Sequence, residues 1–170
     1  MILIIMGVVG AGKTTVGSLL AQKLGWQFAD ADDFHPAANV EKIRHGIPLD
    51  DSDRAPWLAA LRDSILKSKR ERKNLVLACS ALKRKYRDEL RVDGVQFVYL
   101  QGDYELIEKR LRTRRGHFAS DSILKSQFEE LEKPTDALTV EIDKTPDAVV
   151  AEIIEKLKSS TVAYSDPAQK

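Results

Sequence analysis

Residues 7–15 read "GVVGAGKTT" and follow directly on the apolar run "ILIIM" at residues 2–6. A short continuous apolar run ending in glycine predicts a strand buried on both faces of a parallel sheet. From Thr14 to Leu24 the apolar period lengthens, placing Val16, Leu19, Leu20 and Leu24 on one side of a helix, with Gly25 as its stop. Gly7, Gly12, Lys13 and Thr14 satisfy G-x-x-x-x-G-K-[S/T], and the match lies between strand and helix, the setting that makes this motif credible. Gly7, Gly10 and Gly12 let the backbone curl so that N–H groups, those of Ala11 and Thr15 among them, point inward at a phosphate. The helix that follows adds its positive N-terminal end. Lys13 supplies a mobile point charge to the outer phosphates, and the Thr14 hydroxyl can ligate the accompanying magnesium. The alternative is a glycine-rich turn with an incidental lysine; full spacing and context favour a nucleoside triphosphate site.

The rest of the chain continues the alternation. Strands are predicted at "WQFAD", "NLVLACS", "VQFVYL" and "ALTVEID", and helices over 36–45, 54–72, 82–91 and 103–115. Pro146 opens a last helix carrying Val149, Val150, Ile153, Ile154 and Leu157. Such spacing implies right-handed βαβ units, so the fold class is α/β with a parallel sheet. Residues 1–160 are expected to form one domain, and 161–170, which lack usable periodicity, a flexible C-terminal tail.

Composition removes several function classes. With 170 residues, 43% hydrophobic and 31% charged, the chain can bury one real core and reads as neither disordered nor membrane-embedded. Lys and Arg total 27 against 26 Asp and Glu, so no general attraction to nucleic acid or an anionic membrane is expected. Cys79 is single and lies in an apolar run, which predicts a buried free thiol. The N-terminal apolar run is too short to span a bilayer and has no basic n-region before it, so a cytoplasmic location is the expectation.

A regulatory GTPase needs an N-K-x-D segment and a D-x-x-G switch, and neither spelling occurs. A helicase or motor needs an acidic pair closing an apolar strand, whereas "LVLACS" ends in serine. A small kinase remains, with an acidic acceptor site after the second strand and an arginine-bearing lid. Asp30 and Asp32 in "DADDFHP" fit that site: alternate residues at a strand end share a face, so one can hold the metal while the other accepts a proton from an attacking hydroxyl. Asp33 reads equally well as a cap. Asp53, ahead of a helix with Pro56 in its first turn, reads as an N-cap. Arg54 at the same helix start opposes the macrodipole, which suggests service to an anionic ligand. After the third strand Ser80, Lys83, Tyr86 and Arg87 reach the crevice edge, and Lys83 and Arg87, four apart on one helix face, imply an anion between them. In the lid segment, roughly 112–130, Gly116 offers a hinge, while Arg110 and Arg114, one turn apart, can reach one nucleotide.

The blocks "DADDFHP", "GIPLDDSDRAPWL", "CSALKRKYRDELR", "RRGHF" and "SQFEELEKP" occur in order over about residues 2–157. Together they make the chain resemble the gluconokinases, small P-loop kinases related to shikimate kinase and the nucleoside monophosphate kinase-like group. The resemblance implies ATP-dependent, Mg2+-assisted phosphorylation of D-gluconate at its terminal hydroxyl, a three-layer P-loop fold with a five-stranded sheet of order 2-3-1-4-5, and a homodimer. It implies Asp32 as base or hydroxyl-orienting group, Asp30 near the metal, His35, Arg54 and Arg87 on the sugar acid, and Arg110 and Arg114 on the nucleotide; Lys83 joins the acceptor set from its placement. Two departures stand out. Val9 and Ala11 replace common serines in the loop, and "HFASDSIL" replaces a more usual lid spelling, which bears on acceptor selectivity. A kinase for another polyhydroxy acid or a nucleotide, and a nucleotide-binding domain without turnover, are the rival readings.

Overall fold

The computed structural model describes the backbone of residues 1–115 and 119–162, and the side chains of these except 114–121 and 160–162. Five strands, β1 (Ile2–Met6), β2 (Gln27–Asp30), β3 (Leu75–Ala78), β4 (Val95–Gln101) and β5 (Leu138–Glu141), form one parallel sheet of order β2-β3-β1-β4-β5. The helices are α1 (Lys13–Leu24), α2 (Ala37–Arg44), α3 (Asp51–Arg70), α4 (Arg84–Leu90), α5 (Tyr104–Arg115), α6 (Ala119–Glu130) and α7 (Pro146–Val162). α7 therefore takes in the first two positions of the expected tail, and 163–170 lie outside the described residues.

Alternation along β1 builds the three layers. Leu3 and Ile5 enter a core with Leu20 of α1, Ile107 of α5, and Val149 and Ile153 of α7. Ile2, Ile4 and Met6 enter the opposite core with Leu58, Leu61 and Ile65 of α3 and Leu90 of α4. Each such side chain contributes about 1.5–3 kcal/mol relative to exposure, which explains why β1 reads as an unbroken apolar run. Cys79 is a buried free thiol in the second core, and burial pushes its pKa up to about 12.

Strand order reverses at β1, which lies between β3 and β4. Ligands bind outside the carboxyl ends of the strands at such a switch point. Ile5 and Asp30 both pair in register with Ala78, so the phosphate loop after β1 and the acidic segment after β2 emerge at one edge.

Two local readings change. The helix start near Arg54 lies earlier: Asp50 is the N-cap, and Asp53 is the third residue of a capping box, receiving the Asp50 N–H at 3.1 Å while Asp50 Oδ1 accepts from Asp53 N at 2.9 Å. Pro56 accordingly stands inside α3. Asp53 also joins α2 to α3, since its carboxylate pairs with Lys42 at 2.6 Å and its carbonyl accepts from Asn39 Nδ2 at 2.7 Å. The second change is α6, a helix that occupies most of the segment expected only to be a lid.

Candidate active site

At Gly10 the phosphate loop runs at φ +81°, and a Cβ there would lie 2.9 Å from Ile107 Cγ2 and 2.9 Å from Leu111 Cγ. Both the left-handed backbone and the close approach of α5 exclude a side chain. Gly12, at φ +94°, caps α1 without any side-chain bond, so the first amides of that helix face the crevice unshielded. Lys13 folds back over the loop, its Nζ donating to the Val8 carbonyl at 3.0 Å. Burial lowers its pKa, and Asp32 is the foremost charge opposing that shift. Gly10, Gly12 and Thr15 line a groove of about 460 Å³ together with Arg110 of α5, Ile142 and Pro146, the first residue of α7. The Arg110 guanidinium donates to the Ile142 carbonyl, tying α5 to that wall. The backbone of Arg114 lies in the last turn of α5, and its side chain, like the hinge expected at Gly116, lies outside the described residues.

Asp30 and Asp32 come together by a route other than strand alternation. β2 ends at Asp30, and residues 31–34 form a 3-10 turn that Asp30 caps, its Oδ1 accepting from Asp32 N at 3.1 Å. Its other oxygen, Oδ2, accepts from Thr14 Oγ1 at 2.7 Å. Asp32 stays accessible at the turn, and its pKa is raised by partial burial first and by the Asp30 charge second, with Lys13 and His35 opposing. The hard oxygens of Thr14 and Asp30, adjoining a loop built for phosphate, fit a Mg2+ ion shared with phosphate oxygens. Among the described residues no cluster of three His, Cys, Asp or Glu has metal-site spacing, so any metal there takes only part of its shell from protein.

His35 follows the turn and stacks on Trp57 of α3, with ring centroids 4.7 Å apart and planes 9° apart. Trp57 is itself fixed by its Nε1–H donating to the Ala31 carbonyl at 2.7 Å. Burial lowers the His35 pKa, the Asp32 charge opposes that shift and the Arg54 charge adds to it. Arg54 donates from Nη1 to Tyr86 Oη at 2.8 Å and lies over that ring at 5.4 Å. Tyr86 in turn donates to Asp51 Oδ1 at 2.6 Å. Lys83 and Arg54 face the same carboxylate of Glu130, each at 3.6 Å.

The anion expected between Lys83 and Arg87 is not required. Lys83 is the extended N-cap of α4 and leans toward Glu130, whereas Arg87 is 3% exposed and donates from Nη1 to the Ala81 and Leu82 carbonyls at 3.0 and 2.8 Å. Buried carbonyls satisfy Arg87 where an external anion was inferred. Trp57, Gln127 and Glu130 carried no sequence-level role. Gln127 on α6 accepts the Val9 N–H at 2.6 Å, so the helix within the expected lid segment touches the phosphate loop directly.

This geometry sits on a chain that the family model described as shikimate kinase matches over residues 9–158. The thermoresistant gluconokinase of Escherichia coli (strain K12) is 45% identical over 163 residues, covering 92% of this chain and 93% of its own. The chain belongs to the gluconokinase family. A gluconokinase of Gluconobacter oxydans (strain 621H) is 46% identical over 157 residues, with 89% of this chain and 88% of that one covered. The crystal structure of a gluconokinase from Sinorhizobium meliloti 1021 superposes with a TM-score of 0.86 at 36% identity, covering 96% of this chain and 97% of that one. Shikimate kinase from Aquifex aeolicus shares the fold at a TM-score of 0.61 and 19% identity. The relatives thus cover nearly the whole chain. No helix among the described residues is long and apolar enough to cross a membrane.

Proposed function

We propose that the chain phosphorylates D-gluconate at its terminal hydroxyl with ATP, giving 6-phospho-D-gluconate and ADP in the cytoplasm. The observation that carries the reading is one molecule's pairing of a phosphate loop, with Lys13 folded over it and Thr14 bonded to Asp30, with two cations, Arg54 and Lys83, that share one carboxylate of α6. A linear acid with a carboxylate at one end and a primary hydroxyl at the other offers an anion to those cations and a nucleophile to the phosphate.

The loop amides and Lys13 receive the β- and γ-phosphates, and the groove beside Arg110 takes the nucleoside. Thr14 and Asp30 would hold Mg2+, which supplies neutralisation of the phosphate charge when bound. Arg54 and Lys83 pair with the gluconate carboxylate, while His35 on its Trp57 shelf offers a ring nitrogen to a hydroxyl. Arg87 supports from behind, bracing the carbonyls of the loop that carries Lys83. In the chemical step the terminal oxygen bonds to the γ-phosphorus and the bond to the bridging oxygen of ADP breaks. Asp32 takes the hydroxyl proton, a role that its raised pKa suits. Positioning and charge stabilisation supply most of the rate in such transfers.

Proton-coupled 31P NMR of the product tests the assignment. A phosphomonoester split by two protons of a terminal CH2 is expected; coupling to one CH proton, or phosphate released to water, contradicts it.

A further inference from the structure

Glu130 of α6 stands between Arg54 and Lys83, with Oε2 3.6 Å from Arg54 Nη2 and Oε1 3.6 Å from Lys83 Nζ. At that separation the groups attract without a direct hydrogen bond, and partly exposed pairs of this kind bind weakly. Both cations therefore keep donor capacity that a better-placed carboxylate can use. One turn earlier on the same helix, Gln127 Oε1 accepts the Val9 N–H at 2.6 Å. Residues three apart share a helix face, so a single face of α6 touches the acceptor wall at one point and the phosphate loop at another.

We propose that Glu130 is a resident carboxylate that the acceptor's own carboxylate replaces, and that its departure shifts α6 and draws Gln127 off the Val9 amide. The exchange swaps one negative charge for another, so local charge is conserved while two loose ion pairs give way to hydrogen-bonded ones. The freed amide then faces the nucleotide phosphates. Acceptor and nucleotide consequently bind with positive coupling, and linkage requires the effect to be reciprocal. This inference rests on the reading that Arg54 and Lys83 hold the gluconate carboxylate.

Calorimetric titration of the full chain tests it, using gluconate alone, and Mg2+ with a non-hydrolysable ATP analogue with and without gluconate. Wild type is expected to bind the analogue more tightly when gluconate is present. Glu130→Gln is expected to bind gluconate alone about three- to tenfold more tightly, because the competing charge is gone, and to lose most of the coupling. Gln127→Ala is expected to bind the analogue alone more tightly and to leave the affinity for gluconate alone unchanged. A purely structural Glu130 gives a lower Tm and equal or weaker gluconate binding, which overturns the displacement while leaving the acceptor reading intact. A wild type that binds no gluconate overturns the acceptor reading itself, and the displacement with it.

Discussion

Thr14 Oγ1 donates to Asp30 Oδ2 at 2.7 Å, which joins the first turn of α1 to the end of β2. The bond holds two hard oxygens together beside the phosphate loop. Asp30→Asn keeps the shape and removes the charge, so the Mg2+ concentration giving half-maximal rate should rise about tenfold or more, with a smaller change in acceptor KM. Equal Mg2+ requirements in variant and wild type would place the metal elsewhere.

As the proposed base Asp32 would work only ionised, and its pKa lies above the ordinary aspartate value of 3.8 because of burial and the Asp30 charge. The rate should therefore fall as pH drops through that raised value, with a midpoint on the acid limb above 3.8. Asp32→Asn should cut kcat by about 10²–10⁴-fold with little change in nucleotide affinity. The sign for stability is opposite. A carboxyl whose folded pKa is raised costs stability as pH rises from its unfolded pKa to the folded one, and that cost is complete at pH 7, so the asparagine variant should unfold at an equal or higher temperature there. A loss of both Tm and activity would assign Asp32 a structural role.

Lys13 lies folded over the loop on the Val8 carbonyl and must swing to the phosphates to act. Lys13→Ala should lower kcat by on the order of 10²–10³-fold while circular dichroism and Tm stay close to wild type. Near-normal turnover contradicts the role given to the loop.

Most of the fold was legible because each strand carries its own signal. The run at 2–6, the glycine stop at 25 and the opening proline at 146 all mark real boundaries to within a residue. The phosphate loop was legible for the same reason, since its chemistry is local in sequence. The cluster of Arg54, Lys83, Tyr86 and Glu130 was not, because its parts arrive from α3, α4 and α6 and meet only in space. Arg87 shows the limit most plainly: helical spacing placed it beside Lys83, and only tertiary structure reveals that its partners are buried carbonyls. Asp30 and Asp32 are joined by a capped 3-10 turn where strand alternation was expected, a local bond that spacing alone does not reveal.

Trp57 supports the site through one buried hydrogen bond to Ala31, 2.7 Å long. Trp57→Phe preserves an aromatic face for His35 and leaves that carbonyl unpaired. Unfolding free energy should fall by about 1–3 kcal/mol, and acceptor KM should rise more than ATP KM as the 3-10 turn loosens. Unchanged denaturant midpoints would show that the bond contributes nothing.

The crevice transfers phosphate from ATP to gluconate. A coupled assay of ADP release with Mg2+ and ATP, run in parallel with D-gluconate, shikimate, AMP and no acceptor, tests it most directly. Gluconate-dependent turnover far above the other three is predicted; turnover that prefers shikimate or AMP, or that needs no acceptor, would contradict it.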